Sequence, residues 1–238
     1  MTLIKFLSSQ NGKDGQLLDR VSRICPQVLL GLLMAVSAMS PPCLVGQDSE
    51  TAASQKQEPE WQTVKPTGAL ASFDMPGKPR YVERTFSPVK GRDPIKVKLH
   101  LATDSDGQVS YAVSYFDLPD VPADEETIER TLKGAIRGSL ATVMGKLGQS
   151  SDIQYSKGDQ KHRGKQFSYS FSQVDRQDQE RGYVVVSRVY LVESRQYQLT
   201  VTMRQDAVNG NRKNAERFLN SFLLLKSESD QPPVPRNG

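Results

Sequence analysis

Between Ile95 and Thr103 apolar and polar residues alternate strictly. Val97, Leu99 and Leu101 fall on one side and Lys96, Lys98 and His100 on the other, the rhythm of a half-buried strand. Val109 to Asp117 repeats it, with Val109, Tyr111, Val113 and Tyr115 opposite Ser110, Ala112 and Ser114. Asp104 to Gln108, with Gly107, supplies a turn, so the two runs predict an antiparallel hairpin. Upstream, Ala69 to Phe73 predicts a short strand stopped at Met75, Pro76 and Gly77, with Arg80 to Phe86 as its neighbour. Downstream, Ile153 to Tyr155 predicts a short strand, and Lys165 to Ser172 alternates Phe167, Tyr169 and Phe171 with serines. Tyr183 to Val192 is apolar on both sides apart from Ser187 and Arg188, which predicts a central strand. The turn Glu193 to Arg195 leads into Gln196 to Arg204, which alternates again and is expected to be more exposed on one face.

Two segments change period. After Pro119 and Pro122, Asp124 can cap a helix whose first turn carries Glu125 and Glu126, favourable at the positive end of the helix dipole. Ile128, Leu132, Ala135, Ile136, Leu140, Val143, Met144 and Leu147 then recur at helical spacing with Gly148 as the stop, a helix of about six turns. Gly134, Gly138 and Gly145 each weaken it by roughly 1 kcal/mol relative to alanine, which close approach to a sheet would explain. A second helix is predicted over residues 211–222, with Ala215, Phe218, Leu219 and Phe222 on one face. Strands, a hairpin, a helix, further hairpins and a last helix predict an α+β fold, an antiparallel β-sheet packed by helices, and argue against a βαβ nucleotide-binding arrangement.

Outside this periodic region the pattern is different. Val28 to Met39 is an apolar run with Lys5, Lys13, Arg20 and Arg23 before it and small residues after it. A basic front, about a dozen apolar residues and a small-residue exit describe an export signal, too short to span a bilayer comfortably. Residues 1–46 are therefore expected to be a signal peptide, with cleavage after Gly46 or, alternatively, after Ala38. Left uncleaved, the segment would tether the protein to a membrane. Residues 47–60 read as a polar flexible linker, 61–226 as the single domain, and 227–238 as a disordered tail. The expected location is periplasmic or secreted.

The 31 Lys and Arg residues outnumber the 27 Asp and Glu residues, for a net charge of +4. Half of that excess lies in residues 1–46, and the rest of the chain mixes both signs, so nucleic acid is not an expected partner. The two cysteines, Cys25 and Cys43, flank the apolar run, leaving the domain without a disulfide or a thiolate metal site. The residues before Cys43 (Ser40, Pro41 and Pro42) do not match a lipidation motif.

Chemical motifs are sparse. Asp104, Asp106 and Gly107 suggest a calcium loop, but glycine stands fourth and Tyr115 twelfth, where an EF-type loop needs glycine sixth and glutamate twelfth. His100 and His162 lack partner ligands in sequence. There is no G-x-S-x-G elbow, phosphate-binding loop or H-E-x-x-H, and Pro119 between Asp117 and Asp120 implies a turn and not a carboxylate pair. Two basic groups remain as candidate partner-binding residues: Lys96, Lys98 and His100 along one strand face, and Lys161, Arg163 and Lys165 in a compact patch.

Phe73 to Pro79, Tyr111 to Pro119, Arg188 to Leu199 and Ala215 to Phe222 resemble the proline-bearing turn, hairpin, paired central strands and closing helix of PsbP-like and DcrB-like domains. The resemblance implies an α/β/α sandwich in a family of exported proteins that mostly bind or help assemble other proteins. It brings no catalytic residue and no cofactor, and no position here matches a photosystem-related one. The expected role is an exported non-enzymatic binding or assembly module for an envelope or secreted protein. A carrier of a small apolar ligand and an enzyme with an unrecognised site are the alternatives.

Overall fold

The computed structural model describes residues 59–86, 94–119, 124–175 and 177–225. The expected signal peptide, almost all of the linker, the tail, both cysteines, Asp120 and Pro122 lie outside them. The described chain runs β1 (Trp61–Val64), β2 (Ala71–Pro76), β3 (Arg80–Phe86), β4 (Ile95–Thr103), β5 (Val109–Asp117), α1 (Glu125–Val143), β6 (Lys146–Lys157), β7 (Gln160–Val174), β8 (Glu180–Val192), β9 (Arg195–Arg204), α2 (Val208–Asn220) and β10 (Leu223–Leu224). A single 3-10 turn, Gln205–Ala207, leads into α2.

Seven strands form one antiparallel sheet in the order β3-β4-β5-β9-β8-β7-β6, and β1-β2-β10 form a small second sheet. Helix α1 lies on one face of the large sheet, against β7 and β8, and α2 and the small sheet lie on the other. The apolar sides of β4 and β7 face α1 and those of β5 and β9 face α2, so both faces of the sheet must be covered. The core under α1 is built on Leu99, Leu132, Phe167, Tyr169 and Val185. The core under α2 is aromatic, with Phe73, Tyr111, Tyr115, Tyr197, Phe218 and Phe222. This is the α+β architecture that the pattern predicts, with the two-faced layering that the PsbP-like resemblance implies.

Several elements differ from expectation. Strand β3 pairs with β4, setting Tyr81 opposite His100, whereas β2 crosses to the second layer and pairs with β1 and β10. The centre of the large sheet is β9, not β8. Its polar residues Gln196, Gln198 and Thr200 are buried, and two of them have partners there: the Gln198 side chain donates to Ser139 Oγ of α1 at 3.2 Å, and Thr200 Oγ1 lies 2.9 Å from Ser187 Oγ of β8.

Helix α1 begins as the sequence implies, with Asp124 accepting from the Thr127 amide at 2.7 Å. It stops four residues short of Leu147. Met144 takes a left-handed conformation (φ 51°) and its N–H closes on the Leu140 carbonyl. A Cβ at Gly145 would come within 2.9 Å of the Tyr169 ring and 3.4 Å of the Ser170 carbonyl, so glycine permits the close turn into β6, far longer than the expected strand over residues 153–155. Helix α2 starts and ends earlier than predicted. Phe222 lies beyond it, still in the core and stacked on Tyr190 at 5.2 Å.

Candidate functional site

Lys96, Lys98 and His100 do not form one cationic face. Lys96 is exposed and Lys98 partly so, but His100 is only 8% exposed. Strand β2 crosses β4 here and lays the Phe73 ring 5.5 Å from the imidazole. The Tyr81 ring of the neighbouring strand sits 5.2 Å away, and Tyr115 stacks at 6.2 Å. Burial lowers the His100 pKa from its ordinary value to about 4. The imidazole is thus neutral at pH 7, which corrects its expected place in a basic surface, and its Nε2 atom has no hydrogen-bond partner.

From His100 the rings continue as a row. Tyr115 stacks on Tyr197 at 6.0 Å, and the Tyr197 hydroxyl donates to the Ala69 carbonyl. Lys98 Nζ stands 5.8 Å from the Tyr115 ring centre, a cation–π distance. The loop between β1 and β2 forms one lip of this row. There Gly68 and Leu70 have positive φ (72° and 51°), and Leu70 is 40% exposed. Arg195 holds the lip down: its Nη1 donates to the Gly68 carbonyl at 2.6 Å, while Nε and Nη2 grip both Asp117 oxygens at 2.6 and 3.0 Å. Tyr81, 51% exposed on edge strand β3, forms the opposite lip and donates to Glu83 Oε2 at 2.9 Å. Partial burial and the Glu83 carboxylate raise its pKa.

The second basic group belongs to the fold. Only Lys161 faces solvent freely, one residue beyond the start of β7. Arg163 pairs with Glu125 at 2.6 Å and with Glu129 at 3.3 Å. Lys165 lies between Glu129 at 2.9 Å and Asp152 at 2.5 Å, its side chain nearly buried. Burial alone would lower the Lys165 pKa, but Asp152 and Glu129 outweigh it and raise it, and Lys165 lowers theirs. Arg163 and Lys165 therefore fasten α1 to β7, which corrects their expected place on a partner-facing patch. Their shared strand face meets the acidic residues Glu125 and Glu129 of α1.

Catalytic and metal chemistry gains no support at the other positions singled out. Asp104 closes the β4–β5 turn, its Oδ1 accepting from the amides of Gln108 at 2.8 Å and Val109 at 3.1 Å. Among the described residues no group of three or more His, Cys, Asp or Glu side chains could hold a metal ion. No described helix is long and apolar enough to cross a membrane. Sequence reasoning found Lys98 and His100 but missed Tyr81, Leu70 and the Arg195–Asp117 pair. An aromatic on a strand otherwise rich in charge, as Tyr81 is, was the one available signal.

No family model and no curated protein matches this chain. Solved structures do match. A cyanobacterial PsbP from Synechocystis superposes with a TM-score of 0.42 and 12% identity, covering 74% of this chain and 98% of its own. LpqN, described as involved in cell envelope biogenesis of Mycobacterium tuberculosis, gives 0.33 and 15%, covering 69% and 90%. The Ran-binding protein Mog1p of Saccharomyces cerevisiae gives 0.35 and 10%, covering 70% and 96%. The likeness is one of layered architecture and carries no functional residue across.

Proposed function

We propose that this protein is an exported, non-enzymatic binding module that engages a protein partner through the rim bounded by Tyr81, Lys98 and Leu70. The observation that carries this reading is the row of rings from Tyr81 through His100 and Tyr115 to Tyr197, closed by two partly exposed apolar lips and flanked by Lys98. Aromatic anchors held in place by buried neighbours and edged with charge are the usual makings of an interface hot spot. Arg195 and Asp117 keep the lip in position before a partner arrives, which lowers the ordering cost of binding. The basic, apolar and small-residue pattern of residues 1–46 supports export, so the partner is sought among envelope or secreted proteins.

The test compares retention of envelope proteins on the immobilised chain with that on two charge reversals. Lys98→Glu is expected to lower retention of a specific protein at least tenfold, whereas Lys161→Glu, on exposed surface away from the rim, leaves it unchanged. Equal retention by all three, or repeated recovery of no protein, overturns the reading.

A further inference from the structure

Among the described residues three side-chain polar atoms are buried without a hydrogen-bond partner: His100 Nε2, Asp104 Oδ2 and the Tyr169 hydroxyl. Tyr169 lies in the core under α1, flanked by Phe167 and Phe171. Asp104 sits in a hairpin turn that already uses its other oxygen twice. His100 is different, because its cross-strand neighbour is the half-exposed Tyr81 ring on an edge strand, 5.2 Å away. Leaving a buried polar atom unpaired is costly, and a ligand atom that reached it would recover that cost.

The surroundings restrict what such a ligand can be. Phe73 and Tyr115 line the imidazole with aromatic surface, and Lys98 approaches the Tyr115 ring. A carboxylate placed between those rings would lose its hydration. A plain hydrocarbon ring would suit the walls but leave Nε2 unpaired. In neutral histidine Nε2 is either a donor or an acceptor, depending on the tautomer, and a phenolic hydroxyl can answer both. Resting on the rim reading above, we propose that Tyr81 is the displaceable outer wall of a slot that takes a tyrosine side chain of the partner, its hydroxyl pairing with His100 Nε2. Tyr81 is suited to move: it stands on the outermost strand, and among the described residues its hydroxyl is tied to the exposed Glu83 side chain.

The probe is p-cresol, titrated into the purified full chain and compared with toluene, while the His100 imidazole and Tyr81 ring resonances are followed by NMR. Saturable shifts at both residues are expected, with toluene at least tenfold weaker. Tyr81→Ala removes the wall that must be displaced and should tighten p-cresol binding. His100→Phe keeps the bulk but loses the nitrogen, and should bring p-cresol down to the toluene value. Equal binding of p-cresol and toluene by the unmodified chain, shifts confined to other residues, or no saturation overturns the slot. The probe requires no partner protein, so these results leave the rim reading standing. A failed partner capture, in turn, leaves the p-cresol result intact.

Discussion

His100 shows how one crossing strand changes the chemistry of a residue. The alternation of β4 placed it beside Lys96 and Lys98, and that geometry holds: all three share a face. Its burial was illegible because it comes from Phe73 on β2, which the local pattern paired with a different strand. The consequence is a pH dependence whose sign follows from linkage. An unfolded histidine takes up a proton near pH 6.5, whereas folded His100 resists until about pH 4. The unfolded state therefore binds more protons between those values, and stability falls as pH drops from 6.5 towards 4. The expected loss from this residue is about 2 kcal/mol, below the full shift because the ring is not wholly withdrawn from solvent. Urea unfolding at a series of pH values should show the decline, and His100→Phe should flatten most of it. His162, whose pKa burial also lowers, leaves a smaller residual slope. An unchanged slope in the variant would mean that His100 titrates normally.

At the level of elements, the attachment of α1 to β7 joins two features that the sequence displayed separately. Acidic residues in the first turns of the helix looked like dipole compensation, and the cations of β7 looked like a surface patch. Their pairing across 38 residues, Arg163 to Glu125, is visible only once the helix lies on the sheet. Lys165→Met should destabilise the protein by about 1–3 kcal/mol, because Glu129 loses its nearly buried partner. Adding Glu129→Gln should return part of that loss, and a strictly additive double variant would show that the two residues are uncoupled. Gly164 makes a sharper steric prediction. A Cβ there would stand 2.5 Å from the Val189 carbonyl and 2.7 Å from the Tyr190 ring. Backbone cannot yield as a flexible side chain can, so Gly164→Ala should cost about 2–3 kcal/mol in chemical unfolding. The same logic explains why the start of α1 was legible and its end was not. Asp124 caps through a contact three residues away, but after the left-handed Met144 the chain runs so close to Tyr169 of another strand that only glycine fits at position 145.

At the scale of the whole molecule, the order of elements along the chain was enough for the α+β class, because alternating and helical periods are local properties. Strand order is not local. Nothing in Arg80 to Phe86 distinguishes a partner in β2 from one in β4, and nothing in β9 announces that its two glutamines and Thr200 will be buried. The resulting sheet is covered on both sides at its middle and open at its edges, with β3 and β6 largely exposed. That asymmetry sets where the molecule opens. Amides of β9 and β5 are bonded to neighbours on both sides and lie between two cores, so their exchange with solvent requires global unfolding. Strand β3 has one neighbour, and losing its pairing to β4 would free Tyr81 without disturbing either helix. Native-state hydrogen exchange should therefore show β9 and β5 exchanging at the rate set by global stability, with β3 and β6 faster by at least a hundredfold, about 3 kcal/mol of local opening. If β3 exchanged as slowly as β9, the edge would be rigid, and a slot that depends on displacing Tyr81 would have to open by side-chain rotation alone.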